Sequence, residues 1–194
     1  THIKDYDKAL EYYSLEIDIR PESSVGYINR ARLYANFLGE QELALADYNK
    51  AVALAPDSDD SYYYRRALFF QNQGDYTKAL EDYDKAVAID PEDLNNLFWR
   101  ANFYRNYLNN YEKSLQDYLR ILTLDTDQEF AKANSLYNTI AIVYETHIKD
   151  YDKALEYYSL EIEISPEASL GYRNRAGLYA NFLGEQELAL ADYN

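Results

Sequence analysis

Apolar and polar positions along this chain follow the three–four spacing of an amphipathic helix, and the pattern keeps returning. Tyr27, Ala31 and Tyr34 mark one apolar stripe, Tyr63, Ala67 and Phe70 a second, and Tyr137, Ala141 and Tyr144 a third. Such spacings put the residues on one helix face. Each stripe leads to another that is anchored on a small residue, at Ala44, Ala79 and Ala154, with relatives at Ala9, Ser114 and Ala189. The anchors stand 35, 35, 35, 40 and 35 residues apart, and four residues beyond them come Tyr13, Tyr48, Tyr83, Tyr118, Tyr158 and Tyr193. Twelve beyond come Pro21, Pro56, Pro91 and Pro166, which are all four prolines of the chain, with Thr126 as the exception. Proline lacks an amide donor and disfavours helix at the residue before it, so each one stops a helix.

The pattern predicts an all-α chain of antiparallel helix-turn-helix units, with eleven helical segments and no sheet. The alanines let partner helices approach closely while the tyrosines fill the space beside them. Second helices are expected near 5–19, 40–54, 75–89, 110–124, 150–164 and from 185 onward. Asp5, Asp75 and Asp150 stand where an acidic N-cap would open them. The longer interval before Ala154 predicts one continuous helix over about 128–145. Phe130, Ala133, Tyr137, Ile140, Ala141 and Tyr144 keep helical spacing there, without glycine or proline between them.

A longer period overlies the short one. Residues 1–49 return as residues 146–194 with 43 of 49 positions identical. Fixed-period self-similarity marks repeat architectures. The six differences are Asp18/Glu163, Arg20/Ser165, Ser23/Ala168, Val25/Leu170, Ile28/Arg173 and Arg32/Gly177, and every packing tyrosine and alanine is kept. The chain starts and stops inside a motif and holds no methionine, even at residue 1. The expectation is a window on a tandem array whose two ends want neighbours. Ile3, Leu10, Tyr13 and Ile17 at one end, and Tyr179, Leu190 and Tyr193 at the other, are the expected contacts.

With these residues in hand, the chain closely resembles the tetratricopeptide repeat family, a helical hairpin motif. The stretch Gly74–Asp93 fits the family pattern without a gap, while most units carry one extra residue near the turn. Glu16, Ile121 and Glu161 replace a small residue of the second helix. The resemblance implies a right-handed superhelical solenoid running over residues 1–194. It would divide into a half repeat 1–24, repeats of about 25–59, 60–93, 94–127 and 128–168, and an incomplete repeat 169–194. It also implies a concave groove lined by first helices. Val25, Ile28, Asn29 and Arg32 would line it first, then Ser61, Tyr64, Arg65 and Leu68. Phe98, Trp99 and Asn102 would follow, then Asn138, and last Leu170, Arg173 and Asn174. One subfamily grips a C-terminal carboxylate with a lysine-containing clamp. Asn29 and Arg65 match two of its places, but Ser61 and Asn138 replace both lysines, so that function does not carry over.

Composition narrows the function. The net charge of −15 argues against nucleic-acid binding, which needs clustered lysine and arginine. No apolar run is long enough to span a membrane. Cysteine is absent, the six glycines form no phosphate loop, and the two histidines, His2 and His147, are one site in two copies. The chain therefore reads as a non-enzyme without cofactor or metal. Eighteen of its 23 tyrosines fall on packing positions, leaving Tyr12, Tyr62, Tyr64, Tyr107 and Tyr157 outside them. Two functions are expected: a structural scaffold that continues or stacks end to end into a fibre, or an adaptor holding a partner's peptide or helix in the groove. Either way the partner is protein, with no nucleic acid and no membrane insertion.

Overall fold

The computed structural model describes residues 3–55 and 59–194, with side chains from residue 5 onward. Every regular element among them is helical, in two compact units of residues 1–91 and 92–194. The first unit holds α1 (Ile3–Ile19), α2 (Ser24–Leu33), α3 (Gln41–Leu54), α4 (Ser61–Asn72) and α5 (Tyr76–Ile89). The second holds α6 (Leu94–Tyr107), α7 (Tyr111–Leu124), α8 (Glu129–Ala133), α9 (Leu136–Val143), α10 (Tyr151–Ile164), α11 (Ser169–Leu178) and α12 (Gln186–Tyr193). Helices α2, α9 and α11 each run on through a π-helical turn, at Tyr34–Leu38, Tyr144–Ile148 and Tyr179–Leu183.

Those π turns are where the extra residue goes. The amides of Glu40, Asp150 and Glu185 donate six residues back, to the carbonyls of Tyr34, Tyr144 and Tyr179, at 3.1 Å each. In α4, which has no π turn, the matching bond from Asp75 to Phe70 spans five. A one-residue insertion is thus widened into the helix rather than looped out. Asp75 and Asp150 cap the following helices as predicted, accepting from the Lys78 and Lys153 amides at 3.2 and 3.1 Å. Asp5 instead lies inside the first turn of α1, which begins at Ile3.

Each hairpin closes through a left-handed residue. Gly39, Gly74 and Gly184 serve three of them, and Asn109 and Lys149 the other two, at φ 50° and 65°. The left-handed region suits glycine and tolerates asparagine, whereas lysine pays a steric penalty there. Lys149→Gly is therefore expected to raise stability by about 1 kcal/mol. A melting curve that stays in place or moves down would show that the Lys149 backbone carries no such penalty.

The core is the predicted alanine seam. Ala31, Ala44, Ala67, Ala79, Ala101, Ala141, Ala154 and Ala176 are fully enclosed, and Tyr48, Tyr83, Tyr118 and Tyr158 are buried beside them. Ala79→Leu is expected to cost about 2 kcal/mol, since two helices already meet there and extra methylenes strain a filled core. Unchanged urea denaturation of that variant would contradict the seam.

One expected element is corrected. The helix predicted over 128–145 is broken into α8 and α9 at Asn134–Ser135, so twelve α-helices are found among the described residues rather than eleven segments. Ser135 takes a left-handed backbone with φ 46°. Three groups make the break favourable. The buried Asp125 carboxylate accepts from the Ala131 amide at 2.6 Å and the Phe130 amide at 3.3 Å, fixing the start of α8. Asn134 Nδ2 donates to the Phe130 carbonyl at 2.9 Å, closing its other end. Glu161, from α10, then receives the start of α9. Apolar spacing ran on through this region, but the orphan amides and carbonyls of two helix ends found better partners.

Candidate functional site

Each first helix except α9 carries an arginine that reaches across its hairpin. Arg30 holds Asp47 through Nε and Nη2 at 2.7 and 2.9 Å, and Arg66 holds Asp82 at 2.7 and 2.8 Å. Arg100 and Asp117 pair at 2.8 and 2.7 Å, and Arg175 and Asp192 at 2.7 Å twice. These are two-pronged, charge-assisted bonds with directional strength. The hydrogen bond to its aspartate is the main reason the Arg30, Arg66 and Arg175 guanidiniums titrate above their ordinary value. Sequence reasoning did not single out this pair. Its signal was the aspartate of the ADY, EDY and QDY strings, which becomes tyrosine where the string reads EYY.

In the α9–α10 hairpin the pair is absent. Ile140 stands at the arginine's place and Tyr157 at the aspartate's. Tyr157 stacks on Tyr144 with ring centres 5.6 Å apart and planes at 15°, and on Tyr137 at 6.4 Å. Tyr62 and Tyr157, two of the five tyrosines set outside the packing pattern, are therefore packed after all. Tyr62 is buried and its hydroxyl accepts from Ser24 Oγ at 2.7 Å. Next along α10, Glu161 is only 2% exposed and accepts from the Asn138 amide at 3.1 Å. Burial raises its carboxyl above the usual range, and hydrogen bonds from Asn138 and Ser135 pull it partly back.

The expected groove residues separate by unit. In the first, Arg32, Tyr64, Arg65 and Leu68 share a hollow of about 310 Å³ with Tyr48, Gln41 and Gln73. Burial raises the Tyr48 and Tyr64 phenols there, against the pull of Arg65. Asn29 and Arg32 border a second hollow of about 330 Å³, where Tyr6 stacks on Phe37 at 4.8 Å. Val25 is exposed, and Ser61 is engaged by Asp59 through its amide and hydroxyl. Ile28 is buried and offers no groove surface.

In the second unit, Phe98 meets Trp99, Tyr118 and Phe130 edge-on or tilted at 6.0, 6.2 and 5.7 Å. Trp99 keeps an exposed edge. Asn102 accepts from the Tyr118 hydroxyl at 2.8 Å. Asn138, expected in the groove, is buried and accepts from Asn174 Nδ2 at 2.7 Å, because its place at the head of α9 turns it into the packing. Arg173 is exposed and Leu170 half-buried. His147, one of the two histidines, lays its ring on Tyr111 with centres 3.7 Å apart, and burial lowers its pKa.

The end residues are re-sorted too. Ile3 lies outside the described side chains. Ile17 is buried against α2, where a Cβ on Gly26 would stand 2.8 Å from its Cγ1, so only glycine admits the contact. Leu10 and Tyr13 are half-buried. The bare face of α1 is Tyr12, 69% exposed, with Leu15 and Ile19. On α12, Leu190 and Tyr193 are exposed as expected, while Tyr179 is half-buried.

Helix pairs of this make, with the alanine seam and tyrosine wedge, can be compared with known proteins. The tetratricopeptide repeat pattern matches residues 26–58 and again residues 61–93. Those two stretches are tetratricopeptide repeats, and the described helices on either side share their helical-hairpin fold. Solved structures of similar fold include BtubC from P. vanneervenii, at TM-score 0.74 and 18% identity, covering 98% of this chain and 86% of that one. MamA from Desulfovibrio magneticus RS-1, from residue 41 to its end, superposes at 0.69 and 15%, covering 88% and 90%. YrrB, a tetratricopeptide repeat protein with an unusual peptide-binding site, superposes at 0.67 and 22%, covering 94% and 89%. At these identities the likeness is one of fold. No curated protein matches the sequence. Tetratricopeptide repeat folds are protein-interaction scaffolds, and in this repeat chain no described helix is long and apolar enough to cross a membrane.

Proposed function

We propose that this tetratricopeptide repeat chain is a non-enzymatic structural scaffold, a segment of a continuous solenoid that runs on or stacks end to end into an extended superhelical fibre. The observation that carries this reading is the pair of bare apolar faces, Tyr12, Leu15 and Ile19 on α1, and Leu190 and Tyr193 on α12. Covering such surface is worth ~25 cal/mol per Å². The near-identity of residues 1–49 and 146–194 supports it, because equivalent contacts then recur at a fixed interval. A head-to-tail contact that does not close on itself propagates as a filament. Light scattering over a dilution series, with electron microscopy, is the test. Mass that grows with concentration and visible fibres are expected, and a monomer at every concentration would sink the reading.

A second reading is an adaptor for a partner's peptide or helix. The hollow that joins Arg32 and Arg65 to Tyr48 and Tyr64 favours it, with an extended acidic peptide as its ligand.

A further inference from the structure

Second-helix tyrosines tie their hairpins through the hydroxyl as well as the ring. Tyr83 donates to Gln71 and Tyr118 to Asn102, at 2.8 Å each, and Tyr158 donates to Glu145 at 2.5 Å. Gln71 and Glu145 stand four residues after the enclosed Ala67 and Ala141, and Asn102 stands one after Ala101. In the α2–α3 hairpin those two places hold Ala35 and Arg32. Neither side chain accepts a hydrogen bond. Tyr48 is only 4% exposed, and its hydroxyl has no acceptor among the described residues. Burial raises its phenol, so it stays protonated as a donor, and the charges of Arg32 and Arg65 both reach it. Those two arginines have no ion-pair partner among the described residues, whereas Arg30, Arg66, Arg100 and Arg175 are paired. Arg32, Arg65 and Tyr48 line one hollow of about 310 Å³. It is short of an acceptor.

Packing does not call for an arginine at this place. Helix α11 is the second copy of α2 and forms with Gly177 there, where a Cβ would meet nothing within 4 Å. We propose that the hollow binds a phosphomonoester group, carried on a phosphorylated side chain of a partner peptide, with Arg32, Arg65 and Tyr48 as its donors. The inference rests on the adaptor reading and narrows its acidic ligand to one group. Two unpaired guanidiniums are best matched by a dianion. A phosphomonoester brings about −1.5 to −2 charges and three acceptor oxygens at neutral pH, more than a carboxylate does. Guanidinium forks fit phosphate geometry, and a phosphate oxygen accepts the Tyr48 hydroxyl bond that Ala35 cannot. A run of acidic residues is the poorer occupant, because the chain's net charge of −15 repels negative charge lying outside the hollow.

The probe is a fluorescein-labelled glycine–alanine peptide with one central phosphoserine, titrated with the full chain and read by anisotropy. Its uncharged flanks leave the phosphate as the group under test. Saturation below about 1 mM chain is expected, with binding about tenfold weaker or more when glutamate replaces the phosphoserine, and none with serine. Arg32→Gly, which installs the residue of the second copy, and Arg65→Gln should each weaken binding by about tenfold or more. Tyr48→Phe keeps the ring and should weaken it severalfold. All three variants should leave the circular dichroism spectrum unchanged. Inorganic phosphate should displace the peptide only in clear excess. No saturation up to about 1 mM overturns the proposal, and so does binding that survives the Arg32→Gly, Arg65→Gln double variant. Two further outcomes separate this inference from the adaptor reading. Peptide binding that is indifferent to the central residue keeps the adaptor and sinks the phosphate site. Phosphate that binds as tightly as the peptide would mean a bare anion site, and sinks both.

Discussion

Asp82→Ala is expected to lower folding stability by about 3 kcal/mol. The substitution strands the Arg66 guanidinium, whose side chain is only 19% exposed and whose partner carboxylate is 6% exposed. Breaking a buried pair by removing one member costs about 3–5 kcal/mol, because the remaining charge stays desolvated. The low end applies here, since Arg66 also reaches Asn49 at 2.9 Å and retains some water. The pair itself is a poor measure of net stability, for a well-packed apolar pair of similar volume can replace one at little cost. This chain already holds that replacement, as Ile140 and Tyr157. The double variant Arg66→Ile with Asp82→Tyr is therefore expected to recover most of the loss. Urea denaturation of the three proteins decides it. An Asp82→Ala midpoint level with the parent would mean that the arginine ladder is incidental to the fold.

The second large effect is at Glu161, where Glu161→Ala should cost about 3 kcal/mol. It leaves the Asn138 amide unpaired at the buried start of α9, worth ~1–3 kcal/mol, and removes packed methylenes besides. Glu161→Gln keeps an acceptor and loses only the charge, so it should stay close to the parent at neutral pH. The two should diverge with pH in a defined direction. Burial holds the folded carboxyl above its ordinary 4.5, and Asp125 and Glu163 are the other acids near Tyr137 on this side. A raised folded pKa means that the native state binds the proton more tightly than the unfolded chain. That contribution is fully present below 4.5 and is lost as pH rises through the folded value. The parent should therefore gain on Glu161→Gln as the solution is acidified. A parent that loses ground on acidification would mean that the amide and hydroxyl bonds outweigh burial.

Much of this architecture was legible from spacing alone. The starts of α3, α5, α7, α10 and α12 fell within a residue or two of the expected positions, because proline stops and the alanine–tyrosine pair are local signals. The hairpin turns were legible in part: an extra residue near the turn was evident, but not that a π turn would absorb it. The break at Asn134–Ser135 was missed because apolar periodicity reports which face is buried, not where a backbone finds a better hydrogen-bond partner. Asn134 and Ser135 are residues that favour helix ends, and that was the overlooked signal.

The site was less legible. Ile28 and Asn138 looked like groove residues by register and proved to be buried, since register places a residue on a helix but not against its neighbours. Ile17 and Tyr12 both lie on α1, yet one packs beneath Gly26 and the other faces solvent, a difference of direction that only packed helices define. The sequence by itself determined the helical hairpins, their spacing and their alanine seam, because these follow from chemistry within a few turns of chain. Only the tertiary structure decided that arginine and aspartate lock four hairpins, that tyrosine and isoleucine replace them in a fifth, and that Glu161 caps a helix 23 residues away. Those contacts join residues distant in sequence, where no local periodicity reaches and the three-dimensional packing alone selects the partner.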